Sequence, residues 1–160
     1  MGKHLVAYFS ATGTTKKVAT TLAQVTAADL HEIKPLVAYE AADLNWRDEQ
    51  ARSTVEMKDP AFRPALAVSN LDLEPYDVVY VGFPIWWHQA PTLINTLLES
   101  YDFKDKTVVV FATHGGGGWA KTTEHIQASL PSSTKLVEGN ILDGWANEDQ
   151  LKNWVADLDV

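Results

Sequence analysis

Leu5-Val6-Ala7-Tyr8-Phe9, followed at once by Ser10-Ala11-Thr12-Gly13-Thr14-Thr15, is the stretch that decides the fold. The first five residues are apolar without alternation, as expected of a strand buried on both faces between two helix layers. The next six carry four hydroxyls and one glycine. Beyond them Val18, Leu22 and Val25 recur at the spacing of one helical face. A buried strand, a hydroxyl-rich turn and an amphipathic helix in that order form the opening unit of a parallel α/β sheet.

The same alternation continues along the chain. A second strand reads Leu30 to Ile33, closed by Pro35 and Leu36, and Glu49 to Met57 has the pattern of a helix. Residues 38 to 75 otherwise carry little periodicity, and Asp59-Pro60 and Arg63-Pro64 mark irregular chain. The third strand, Val78 to Phe83, is stopped by Pro84, and Ala90-Pro91 opens a helix with Leu93, Ile94, Leu97 and Leu98 as its apolar set. A fourth strand runs from Thr107 to Ala112, a weaker helix from Thr122 to Leu130, and a fifth strand from Leu136 to Leu142. The last helix has Asn147 as its N-cap, Glu148 and Asp149 in its first turn, and Leu151, Trp154, Val155 and Leu158 on one face. Five strands alternating with helices predict a parallel sheet covered on both faces, with ligands bound beyond the carboxyl ends of the strands.

The loops after strands one, three and four are accordingly the candidate site. In the first, hydroxyls and backbone N–H groups converge at a helix N-terminus, which supplies unpaired donors and the positive end of a dipole. A simple Ser/Thr cap accounts for one or two of these hydroxyls but not four. Lys16 and Lys17 lie in the first helical turn, where the dipole disfavours cations unless an anion is bound. No Gly-Lys-Ser/Thr closes the loop and no three-glycine fingerprint is present, so a monophosphate fits better than a pyrophosphate. The second loop is Pro84-Ile85-Trp86-Trp87-His88-Gln89. Treated as an extended segment, it points its two tryptophans opposite ways, one packing under a helix and one free to stack on a flat aromatic ligand. The third is Thr113-His114-Gly115-Gly116-Gly117-Gly118-Trp119, whose glycines let backbone N–H groups approach a ring edge. A plain flexible surface loop is the alternative there.

These three segments resemble the FMN loops of the flavodoxin family: Ser-x-Thr-Gly-x-Thr, Pro-Ile-Trp-Trp and Thr-x-Gly-Gly-x-Gly. Within it they are most similar to the bacterial flavodoxin-like subfamily with Trp-Trp in the second loop. The resemblance spans nearly the whole chain and includes Tyr39, Asp43-Leu44, Arg52-Ser53, Glu56 and Arg63-Pro64. It implies one flavodoxin-like FMN-binding domain over residues 1–160, a three-layer α/β fold with a five-stranded parallel sheet in the order 2-1-3-4-5 and helices on both faces. It also implies that Ser10, Thr12, Gly13, Thr14 and Thr15 bind the FMN phosphate. Trp87 is expected over one face of the isoalloxazine, with Pro84, Ile85, Trp86 and His88 shaping the pocket. Thr113, His114, Gly115 and Gly116 are expected to line the pyrimidine edge. His88 stands where the subfamily usually has Gly, and His114 where it usually has Ser. In the family, the peptide at the first of these positions turns when the flavin is reduced. A Cβ at position 88 should therefore resist the left-handed backbone that the turned form needs.

Composition narrows the function classes. The 160 residues are 46% hydrophobic and 21% charged, as in an ordinary globular domain, and no apolar run approaches the roughly 20 residues of a membrane span. The formal charge of −8 disfavours nucleic acid and anionic membranes as partners. It suits encounter with a basic redox partner protein, although it also serves solubility alone. There is no cysteine, so redox chemistry requires a bound cofactor. The Leu5–Phe9 run is too short for a secretory leader, and the expected location is the cytoplasm. The five histidines show no metal-ligand spacing. Three functions stay open: an FMN electron carrier, an FMN-dependent NAD(P)H:quinone or nitro-type reductase acting on a small-molecule acceptor, and a binding module without flavin.

Overall fold

A computed structural model describes residues 3–67, 71–113, 119, 122–142, 147–158 and 160. The elements alternate as strand and helix: β1 Lys3–Tyr8, α1 Thr14–Thr26, β2 Asp29–Glu32, α2 Arg52–Lys58, β3 Tyr76–Pro84, α3 Thr92–Ser100, β4 Thr107–Thr113, α4 Thr122–Gln127, β5 Lys135–Ile141 and α5 Glu148–Ala156. All neighbouring strands pair in parallel, in the order β2-β1-β3-β4-β5. The expected sheet is the observed one.

The unbroken apolar runs explain the layering. On β1, Leu5, Ala7 and Phe9 enter one hydrophobic cluster while Val6 and Tyr8 enter the other. The strands β3 and β4 divide in the same way: Val79, Val81, Val108 and Val110 go to the first, and Val78, Tyr80, Val109 and Phe111 to the second. Leu93, Ile94 and Leu97 of α3 cover the first face, with Met57 of α2 and Ile126 of α4. Val18, Ala19 and Leu22 of α1 and Leu151 of α5 cover the second.

Strand ends differ from the sequence pattern by one or two residues; two helix boundaries differ by three, and the stretch without periodicity holds a short turn of its own. The helix expected from Glu49 begins at Arg52, because Asp48 turns the chain first, accepting from Gln50 N through its side chain (2.9 Å) and from Ala51 N through its carbonyl (3.1 Å). The helix expected to reach Leu130 ends at Gln127; Ser129 N and Leu130 N continue it only as tighter i to i−3 bonds, to Ile126 O and Gln127 O. The excursion between β2 and β3 contains a 3₁₀ turn, Ala41–Leu44, with reciprocal capping by Glu40 and Asp43. An antiparallel bridge, Pro35 to Leu66, closes it on itself.

Gly82 stands where the sheet leaves no room for a side chain. A Cβ there would lie 2.1 Å from Cζ of Phe111, the residue beside it in register on β4. Gly82→Ala should cost about 1–3 kcal/mol through overpacking, read as a lower urea midpoint. The cost should shrink when Phe111→Leu is present. An equal cost in both backgrounds would show that the ring is not what excludes the methyl group.

Candidate functional site

The first loop leaves β1 through buried Phe9, whose N–H donates to Gly82 O (2.9 Å). Ser10 Oγ accepts from Gly13 N (3.0 Å), and Gly13 takes φ +96° as the N-cap of α1. Only glycine adopts that angle without strain, and no side chain caps the helix behind it. Chain neighbours aside, nothing lies within 4 Å of where a Cβ on Gly13 would stand, so there is open space beside the first residue of the helix cap. Thr12, Gly13 and Thr14 are exposed there, as are Lys16 and Lys17. Thr15 differs. It is buried, and its hydroxyl is hydrogen-bonded to that of Thr113 at the end of β4 (2.8 Å). This bond ties the root of the first loop to the root of the third.

The second loop is a hairpin turn rather than extended chain. Trp86 N donates to Gln89 O (2.9 Å) and Gln89 N to Trp86 O (3.1 Å), which leaves Trp87 and His88 as a two-residue turn. Both have positive φ, +49° and +64°, the pattern of a type I′ turn. That turn usually carries Asn-Gly or Asp-Gly, so Trp-His gave no signal of it. The expectation that a Cβ keeps position 88 from a left-handed backbone is corrected here: His88 already adopts one in this turn, at the cost in strain that a Cβ brings. Thr122 Oγ1 also reaches His88 O (3.5 Å), linking the turn to the start of α4.

The turn separates the two tryptophans. Trp86 is 9% exposed and belongs to the core, with Phe9 at 5.6 Å and Tyr39 at 5.3 Å between ring centroids, both edge-on. Trp87 is 38% exposed and free to stack on a ligand. Pro84 and Ile85 are buried beneath the turn, and Ile85 N donates to Thr113 O (3.0 Å), so the second and third loops also leave the sheet side by side. Of the third loop, Thr113 is buried, while His114, Gly115 and Gly116 lie outside the described residues. Trp119 beyond them stands 6.4 Å from Phe83 between ring centroids and donates from its indole nitrogen to Thr123 Oγ1 (2.8 Å).

Sequence reasoning left three residues out of the site. Phe9 precedes the first loop, and Trp119 is the last residue of the third, beyond the stretch assigned to the pyrimidine edge. Tyr39 lies in the stretch without periodicity, where only the family pattern singled it out. Together with Ser10, Ala11 and Lys34, Phe9 and Tyr39 line a cavity of about 300 Å³ between the ends of β1 and β2. Burial, then the hydrogen bond to Glu56, push the Tyr39 phenol well above its ordinary pKa. Among the described residues, no group of three or more His, Asp or Glu is placed to hold a metal ion. Nor is any helix there long and apolar enough to cross a membrane.

Fold and loops define a doubly wound α/β protein whose candidate site is the C-terminal edge of the sheet, where the connections from β1 and β3 leave in opposite directions along the strand order. The chain belongs to the flavodoxin family, whose profile matches residues 3–158. Among solved structures it is similar to a protein from Bacteroides uniformis assigned provisionally as a flavoprotein, with 44% identity, a TM-score of 0.92, and coverage of 98% of this chain and 99% of that one. A counterpart from Bacteroides eggerthii, assigned in the same way, is 41% identical, with a TM-score of 0.92 and coverage of 100% and 99%. A flavoprotein of Lactobacillus acidophilus, solved in complex with FMN, shares the fold at 22% identity, with a TM-score of 0.69 and coverage of 97% and 99%. No curated protein matched the chain.

The two tryptophans should respond differently to truncation. Trp86→Ala should destabilise the protein by about 3–5 kcal/mol, whereas Trp87→Ala should stay within about 1 kcal/mol. His88→Gly should raise stability by about 0.5–1 kcal/mol, since a left-handed residue with a Cβ is strained. Denaturant midpoints measure all three. A destabilising His88→Gly would mean that the imidazole makes a contact outweighing the strain.

Proposed function

We propose that the chain is a flavoprotein that holds one FMN non-covalently on these loops and transfers electrons through it. The observation that carries this reading is the joining of three loop roots on one sheet edge. The Thr15–Thr113 hydroxyl bond and the Ile85 N to Thr113 O bond bring together an open helix N-terminus and a turn presenting an exposed tryptophan. The residues present fit the cofactor. Ser10, Thr12, Gly13, Thr14 and Thr15 would hold the phosphate, where the uncapped amides of α1 meet open space beside Gly13. Trp87 would cover a face of the isoalloxazine, with Trp86 fixing the turn from below. Thr113 would stand at the pyrimidine edge. Bound there, the flavin supplies the redox chemistry, and the protein supplies binding, stacking and electrostatics.

Between carrier and reductase we favour the carrier. The charge of −8 suits encounter with a basic partner protein. The reductase reading rests on the exposed imidazole of His88, presented on the same turn as Trp87 to any small acceptor.

The phosphate assignment is tested by titrating FMN and riboflavin and following flavin fluorescence. Several hydrogen bonds to a charged group, at about 1.5 kcal/mol or more each, should make riboflavin bind at least about a hundredfold more weakly. Equal affinities would remove the phosphate from the reading. Steady oxidation of NADH or NADPH with a quinone, by the protein alone, would decide for the reductase.

A further inference from the structure

Glu56 is a carboxylate with 4% exposure on the seven-residue helix α2, outside the three loops. Both its oxygens are in use. Oε1 accepts from the Tyr39 hydroxyl, and Oε2 accepts from Arg52 Nε (2.8 Å). Arg52 does more than neutralise it. Its Nη1 donates to the carbonyls of Val37 (2.6 Å) and Ala38 (3.3 Å), and its guanidinium carbon sits 3.9 Å above the Tyr39 ring. The tyrosine is therefore fixed at its tip by Glu56 and over one face by Arg52.

What the ring has left to touch is the flavin side of the molecule. Tyr39 meets Trp86 at 5.3 Å and Phe9 at 5.6 Å, and Phe9 meets Trp86 at 5.6 Å, so the three rings contact one another pairwise. Phe9 immediately precedes the first loop. Trp86 is the base of the turn that carries Trp87 and His88. Two consecutive residues with a Cβ at positive φ persist only where their surroundings over-determine them, and Trp86 is the turn's anchor in the core. A buried ion pair is a weak source of stability compared with an apolar packing of the same volume. Its geometry here has a different use.

We propose that Arg52 and Glu56 are positioning residues for the flavin site, holding Tyr39 against Trp86 and Phe9 and thereby fixing the Trp87–His88 turn relative to the first loop. The proposal rests on the flavin reading above. Arg63 and Glu99 form a second Arg–Glu pair, bidentate (2.8 and 3.1 Å) and more exposed, and among the described residues no ring contact is seen at it. It serves as the structural control.

The experiment compares the unmodified protein with Tyr39→Phe, Glu56→Gln and Glu99→Gln, each loaded with FMN. Three quantities are measured: the FMN dissociation constant, the visible circular dichroism of the bound flavin, and the thermal midpoint. Tyr39→Phe and Glu56→Gln should weaken FMN about tenfold or more, a change of about 1.4 kcal/mol, and alter the flavin dichroism. Glu99→Gln should lower the midpoint and leave both flavin readouts unchanged. If Glu56→Gln does not fold, Tyr39→Phe decides alone, because it keeps the ring and removes only the hydroxyl. Variants that lose stability yet bind FMN with unchanged affinity and dichroism overturn the positioning role while leaving the flavin reading in place. Failure of the unmodified chain to take up FMN overturns the flavin reading, and the proposal with it.

Discussion

From Leu5 to Phe9 every side chain is buried, and successive residues enter different cores. This double burial of β1 constrains the rest of the molecule. A shift of one residue in its register would exchange the contents of the two cores, moving Leu5, Ala7 and Phe9 under α1 and α5. Held from both sides, β1 pairs with β2 and β3, and the chain has to cross over between parallel strands through helices. Both sheet faces are then covered. Loops emerging from the carboxyl ends of the strands become the natural place for a ligand to meet backbone N–H groups and exposed rings.

At that edge the packing rules change. Below it, β3 and β4 are so closely apposed that Gly82 has no room for a methyl group beside Phe111. Above it, the chain accepts strain, with two consecutive non-glycine residues at positive φ on the second loop. The hydroxyl bond between Thr15 and Thr113 marks the boundary, since it lies buried at the base of the first and third loops. Roots fixed in this way suit a planar ligand that must be held by its edge and its face at once. The Arg52–Glu56 pair extends that rigidity from outside the sheet. A single phenol ring connects it to the loops.

The extent to which the sequence disclosed this depends on how local the physics is. The strands β1, β3 and β4 were legible because a strand buried on both faces must be apolar at every position, so the run itself is the signal. Asn147 was legible as a cap, since its side-chain oxygen accepts from Gln150 N (2.9 Å), only three residues along the chain. The start of α2 was misplaced because Asp48 competes for the backbone in a way that periodicity does not record. The Trp87–His88 turn was missed for a stronger reason. Its residues contradict the local preference for that turn, and only the paired ends and the core contact of Trp86 impose it.

The amino-acid sequence by itself determined the layered sheet, its five strands, the hydroxyl-rich opening of α1 and the family to which the chain belongs. These follow from patterns that repeat within a few residues: continuous apolar runs, helical spacing and turn chemistry. Tertiary structure alone decided that Trp87 and His88 form a two-residue turn, where the Thr15 hydroxyl goes, and that Tyr39, Arg52 and Glu56 form one unit. Those outcomes depend on contacts between residues as far apart in sequence as Thr15 and Thr113, and each such contact exists only once the sheet has brought its ends together.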